Sequence, residues 1–160
     1  MTAWRRRQAA LAALVIALTV GGCATVHDAA ALEESRDEVD AAARADLPAL
    51  ADALGAEIED PWGRWSAGGA KNAFQVSYEA TARLVAPSAD QDEVAAAIAH
   101  LGYEVIQNSD AGVVGTRDDL KMMTAGGDSP FRIKVVGPYL RTETGVVSTG
   151  VRDELDLPVD

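Results

Sequence analysis

The chain has 160 residues, 48% of them hydrophobic, and sets 25 acidic residues against 14 basic ones for a formal net charge of −11. That length suits one domain with a real core, and that charge argues against a nucleic-acid binder, because phosphate backbones are repelled by an acidic surface. A single cysteine rules out a disulfide framework within the chain, and a zinc shared by the two histidines would need distant segments to meet.

Met1 to Trp4 lead into Arg5-Arg6-Arg7, and from Ala9 to Val20 only Thr19 is not apolar. At about 1.5 Å rise per residue that run makes a helix roughly 18 Å long, short of the roughly 30 Å hydrocarbon core of a bilayer. A cationic head, a short apolar centre and small residues after it are the parts of a secretory signal. Gln8-Ala9-Ala10-Leu11 after the arginines fits the twin-arginine route poorly, so general secretion is expected.

Val20-Gly21-Gly22-Cys23 closes the apolar run, and this segment resembles a lipobox. The resemblance implies a lipoprotein precursor: residues 1–22 are removed as a signal peptide and the Cys23 thiol receives a diacylglyceryl group. Cys23 then anchors the chain at the extracytoplasmic face of the cell membrane. Each buried CH2 contributes about 0.8 kcal/mol, so two acyl chains hold without help from the protein. No help is expected, because all 25 acids follow Cys23 while three of the 14 basic residues precede it, leaving a charge near −14. The Ala-rich, Lys-poor composition gives the whole a resemblance to small actinobacterial lipoproteins of unassigned role.

Residues 23–28 form a short tether. From Ala29 to Leu54, Leu32, Val39, Ala43, Leu47, Leu50 and Leu54 fall within about 80° of one another at 100° per residue, which predicts one helix with a buried stripe, carried through Pro48 and stopped by Gly55. Asp60 to Gly69, with Pro61 and several glycines, reads as a loop carrying Trp62 and Trp65. Phe74, Val76, Tyr78, Ala80, Ala82 and Leu84 then alternate with polar residues, as in a long strand with one wet face. Ser88-Ala89-Asp90-Gln91 reads as a capping box opening a second helix that buries Val94, Ile98 and Leu101 and ends at Gly102.

Beyond Gly102 come short apolar runs, 103–107, 113–117, 120–125, 131–136 and 146–149, separated by turn residues at 108–112 and 126–130. Short hinges favour antiparallel hairpins. The expected architecture is α+β: two helices packed on one face of a mainly antiparallel sheet of about five or six strands, forming a single domain over 29–150. An acidic tail at 151–160 is expected to be loosely held.

The search for chemistry is largely negative. The chain contains no Gly-x-Ser-x-Gly elbow, no phosphate-cradling Gly-x-x-x-x-Gly-Lys loop and no His-Glu-x-x-His pair. His27 and His100 sit far apart in sequence, each beside a helix end. Asp118, Asp119 and Asp128 match no calcium loop and read as solvated turns. Glu57, Glu59 and Asp60 form an acidic cluster of a kind that so acidic a chain produces by chance.

The tryptophan segment is the candidate binding element. Trp62 and Trp65, with Arg64 between them, offer apolar surface for a sugar ring or a partner, although tryptophans between a helix and a strand more often fold back onto the core. These observations lead to the expectation of a non-enzymatic binding or envelope accessory module that uses the sheet's open face or the tryptophan segment. It uses no cofactor or metal, meets the membrane through Cys23, and takes another envelope protein or a glycan as partner rather than nucleic acid. Two alternatives stand beside it: a small envelope hydrolase using scattered carboxylates near Trp62 and Trp65, and a carrier of an apolar ligand between helices and sheet.

Overall fold

The computed structural model describes residues 25–68, 74–85, 89–125 and 131–158. The signal segment, Cys23, Ser88, Asp128 and the hinge at 126–130 lie outside the described residues. Among the described residues two helices and eight strands follow one another: α1 Ala29–Leu54, β1 Glu57–Gly68, β2 Gln75–Val85, α2 Gln91–His100, β3 Glu104–Ser109, β4 Gly112–Arg117, β5 Leu120–Thr124, β6 Phe131–Val136, β7 Leu140–Arg141 and β8 Arg152–Glu154. The strands join in one sheet of order β3-β4-β5-β6-β2-β1-β8, with β7 beside β2 and every strand pair antiparallel. The α+β class and the mainly antiparallel sheet are as expected; eight strands replace the five or six expected.

Helix α1 begins where the Asp28 carboxylate accepts a hydrogen bond from the Ala31 amide at 3.0 Å, satisfying one of the donors that the first turn leaves free. It runs unbroken through Pro48 and ends on Gly55, whose φ of 58° is the left-handed conformation glycine adopts most readily. Five of the six stripe residues are buried, Leu54 being half-buried. In α2 the capping box is present but two residues later than expected. Asp90 accepts from the Glu93 amide while the Glu93 side chain accepts from the Asp90 amide, so the cap is Asp90 rather than Ser88.

One row of paired residues shows how the helices seat. Val105, Gly115, Met122, Val135, Ala80 and Gly63 lie side by side across the sheet, all on one face. A Cβ on Gly115 would stand 2.7 Å from the Ile98 side chain of α2, and one on Gly63 would run into the Tyr78 hydroxyl. Tyr78 in turn lies under Arg36 of α1, whose guanidinium carbon is 5.5 Å from the ring centroid. Both helices therefore cover the same face, and the core lies between them and this row.

A buried polar cluster ties α1 to the β3–β4 hairpin. Asp46, 6% exposed on α1, accepts two hydrogen bonds from Arg117 of β4 at 3.3 and 2.5 Å and one from the Tyr103 hydroxyl at 2.7 Å. Arg117 also donates to the Leu101 carbonyl and stacks over the Tyr103 ring at 4.3 Å. Burial pushes the Tyr103 phenol above the ordinary tyrosine range, and its hydrogen bond to Asp46 pushes the same way, so it remains a donor.

Four sequence expectations are corrected. The segment 60–69 is not a loop, because Glu57–Gly68 forms β1. A bulge between Glu59 and Trp62, with Asp60 at a φ of 49°, absorbs Pro61 and lets pairing resume. The polar face of β2 is wet only at its ends: Gln75 is half-buried and Arg83 exposed, but Ser77, Glu79 and Thr81 are buried where β2 lies inside the sheet. The run 146–149 forms no strand of its own; Thr149 makes only an isolated bridge with Trp65. Residues 151–158 are not loosely held. Arg152–Glu154 pairs with Trp62–Arg64 as an edge strand, and Leu155 and Leu157 are buried in the core.

Candidate functional site

The face of the sheet away from the helices holds the candidate site. Directly opposed residues in an antiparallel sheet share a face. Two such rows are Thr116, Lys121, Val136, Glu79, Arg64 and Arg152, and Val114, Met123, Lys134, Thr81, Trp62 and Glu154. Arg83 and Arg132, paired with each other, lie on this face too. Arg64, Arg83, Lys121, Arg132, Lys134 and Arg152 are six of the 11 basic residues that follow Cys23. Five carboxylates, Glu57, Glu59, Glu79, Glu104 and Glu154, share the face with them. The acidity of the chain is thus spread unevenly, and its cations are concentrated on the face that no helix among the described residues covers.

Within this face is a pocket of about 300 Å³. Trp62 and Arg64 supply one wall from β1, Glu79 and Thr81 the floor from β2, and Arg132 and Lys134 the next wall from β6, with Met123 to Ala125 beyond. Glu79, 5% exposed, is its electrostatic centre. Arg64 Nε donates to Glu79 Oε1 at 2.6 Å, Ser66 Oγ donates to the same oxygen at 3.1 Å, and Lys134 Nζ donates to Oε2 at 3.2 Å. Burial alone would raise the Glu79 carboxyl, but the hydrogen bond from Arg64 and the charge of Lys134 outweigh it and hold the group below the usual glutamate range. Glu79 therefore stays ionised near neutral pH, a fixed counter-ion rather than a proton donor.

The sequence candidates separate. Trp62 and Arg64 both line the pocket; Trp65, three residues on from Trp62, points to the helix side. There it packs edge-to-face on Tyr78, the ring centroids 5.2 Å apart, and is 6% exposed. The two indoles do not form one platform. Trp62 is equally buried, and the guanidinium carbons of Arg64 and Arg152 stand 4.9 and 4.4 Å from its ring centroid. Its π face is engaged by cations of the protein itself.

Elsewhere, Asp118 occupies a positive-φ position in the β4–β5 turn. Glu59 is paired with Arg83, and Asp60 with Arg152 at 3.7 Å. The His27 carbonyl accepts from Thr142, and exposed His100 ends α2. Among the described residues no group of three or more His, Cys, Asp or Glu side chains is placed to hold a metal ion.

Glu79, Thr81, Arg132 and Lys134 were not legible as site residues, since nothing local marks them. The one available signal was phase: Glu79 and Thr81 stand in the polar half of the β2 alternation, and Arg132 and Lys134 in that of β6. No protein-family model, no curated protein and no solved structure matches this chain.

Proposed function

We propose that this chain is an exported lipoprotein, anchored through Cys23 at the extracytoplasmic face of a membrane, and that its domain is a non-enzymatic binding module working from the helix-free face of the sheet. The observation that carries the anchor is Cys23 itself, placed where the apolar run ends and a few residues before Asp28 caps the first helix. The His27 amide already donates to the Arg141 carbonyl, so the folded body begins close to that cysteine and is held near the bilayer. Among the described residues no helix is long and apolar enough to cross a membrane.

The binding half is supported by the pocket. Its carboxylate is locked between two cations, an arrangement suited to holding charge in place and ill suited to the paired acid and base of a glycoside hydrolase. Intact mass and membrane partitioning of the protein expressed in a bacterium, beside Cys23→Ala, test the anchor. A mass increase corresponding to lipid on the wild type, with a variant that stays uncleaved or turns soluble, is expected. Identical behaviour of the two would overturn the anchor.

A further inference from the structure

We propose that the pocket on the helix-free face binds a small organic oxyanion, a phosphate or carboxylate carried on a short apolar body. The proposal names the ligand class for the binding role above and does not depend on the anchor.

Three features define the class. The lining charge is positive, since Arg64, Lys134 and Arg132 face one carboxylate, a local surplus of cation in a chain of net charge −11. Arg64 and Lys134 are committed to Glu79, whereas Arg132 is exposed and has no ion pair among the described residues, so it is the charge available to an incoming group. The second feature is Thr81. It is 2% exposed, it lines the pocket, and its hydroxyl has no hydrogen-bond partner among the described residues. Buried hydroxyls are nearly always paired; this one is not, and it lies just under the floor of a cationic pocket, closed to solvent, so that a ligand reaches it once the lining side chains shift.

The third feature is apolar: the Trp62 ring and Met123 border the same space. A volume of about 300 Å³ exceeds a bare phosphate, since one water occupies about 30 Å³ of liquid, and leaves room for a short chain or ring. A sugar stacked on Trp62 is disfavoured because two guanidinium groups already stand over the indole.

The test is calorimetric titration of the full chain with hexyl phosphate, beside inorganic phosphate and 1-hexanol. Hexyl phosphate is expected to bind once per chain and more tightly than either control. Thr81→Val keeps the shape and removes the hydroxyl; it should weaken binding about tenfold while leaving the melting temperature unchanged or higher. Arg132→Gln, at an exposed site, should weaken binding by a similar factor without unfolding the domain. Absence of saturable binding overturns the proposal, and so does binding that both variants leave unchanged. If 1-hexanol binds as tightly as hexyl phosphate, the anion assignment is overturned while a binding pocket remains. Phosphatidylglycerol vesicles added as competitor, with phosphatidylcholine vesicles as control, identify the source. Displacement by the former alone assigns the oxyanion to a lipid headgroup, and no displacement assigns it to a soluble molecule; both support the site.

Discussion

Asp46→Ala should be among the most damaging single changes in the α1 region, for reasons that lie mostly in what it leaves behind. It strips the acceptor from two hydrogen bonds of Arg117 and from the Tyr103 hydroxyl, in a place where Asp46 itself is buried. Removing one partner of a fully buried ion pair costs about 3–5 kcal/mol, because the other charge stays desolvated. The Arg117 side chain keeps 31% of its exposure and one bond to the Leu101 carbonyl, so water screens part of that loss, and about 2–3 kcal/mol is the expected cost. Against a total stability of roughly 5–15 kcal/mol this should move the urea midpoint by about 1 M at pH 7. Circular dichroism of wild type, Asp46→Ala, Arg117→Ala and the double variant closes a thermodynamic cycle, with a coupling of about 1–3 kcal/mol expected. If the single losses simply add, to within about 0.5 kcal/mol, the cluster is not acting as a unit and the reasoning fails.

Two carboxylates should respond to pH with opposite sign. Glu79 has its pKa lowered in the fold, so its contribution is present above the unfolded value of about 4.3 and is lost as pH falls through the folded one. Glu79→Gln should therefore lower the melting temperature at pH 7 and make little difference near pH 2. Asp40 is the reverse. Burial raises its pKa against the pull of Arg36, and its Oδ1 is buried without a hydrogen-bond partner among the described residues. Its charge thus opposes folding once pH exceeds the unfolded value of about 3.9. Asp40→Asn should raise the melting temperature at pH 7 by a few degrees and leave it unchanged near pH 3; a fall at pH 7 would contradict the burial argument. Leu157→Ala, in the stretch that reads as a loose tail, should cost about 2–4 kcal/mol in denaturant unfolding, where a truly loose tail would give nothing measurable.

The helices were legible because a helix writes its buried face into its own sequence. Leu32, Val39, Ala43, Leu47 and Leu50 needed only a period of 3.6 to be read, and all are buried. Strand β2 was legible as a strand for the same kind of reason, but its second face was not, since whether Ser77, Glu79 and Thr81 meet water depends on which strands flank them. Asp60 to Gly69 reads as a loop because Pro61, Gly63 and Gly68 are turn-like residues. In the fold each has a strand-compatible place: Pro61 in the bulge, Gly63 over Tyr78, Gly68 against Tyr139. The alternation Asp153, Leu155, Leu157 at the end of the chain was a period-2 signal overshadowed by the acidic character around it. A third of the candidate site, Trp62 and Arg64, stands out by residue type. Glu79, Thr81, Arg132 and Lys134 come together only through the register of β1, β2 and β6.

The pairing of β8 with β1 also sets an order in time. As the chain is made, β1 emerges early with the edge from Trp62 to Arg64 unmatched, and every other strand of the sheet follows before Arg152–Glu154 arrives to pair with it. Contacts so distant in sequence are slow to form, and an open edge is where another chain can add itself. Until the final segment docks, the nascent molecule has its strand edge bare, Trp62 lacks the Arg152 guanidinium, and the space for Leu155 and Leu157 is unfilled. A chain interrupted just short of that point would carry nearly all of the fold and yet be the form most prone to join its neighbours.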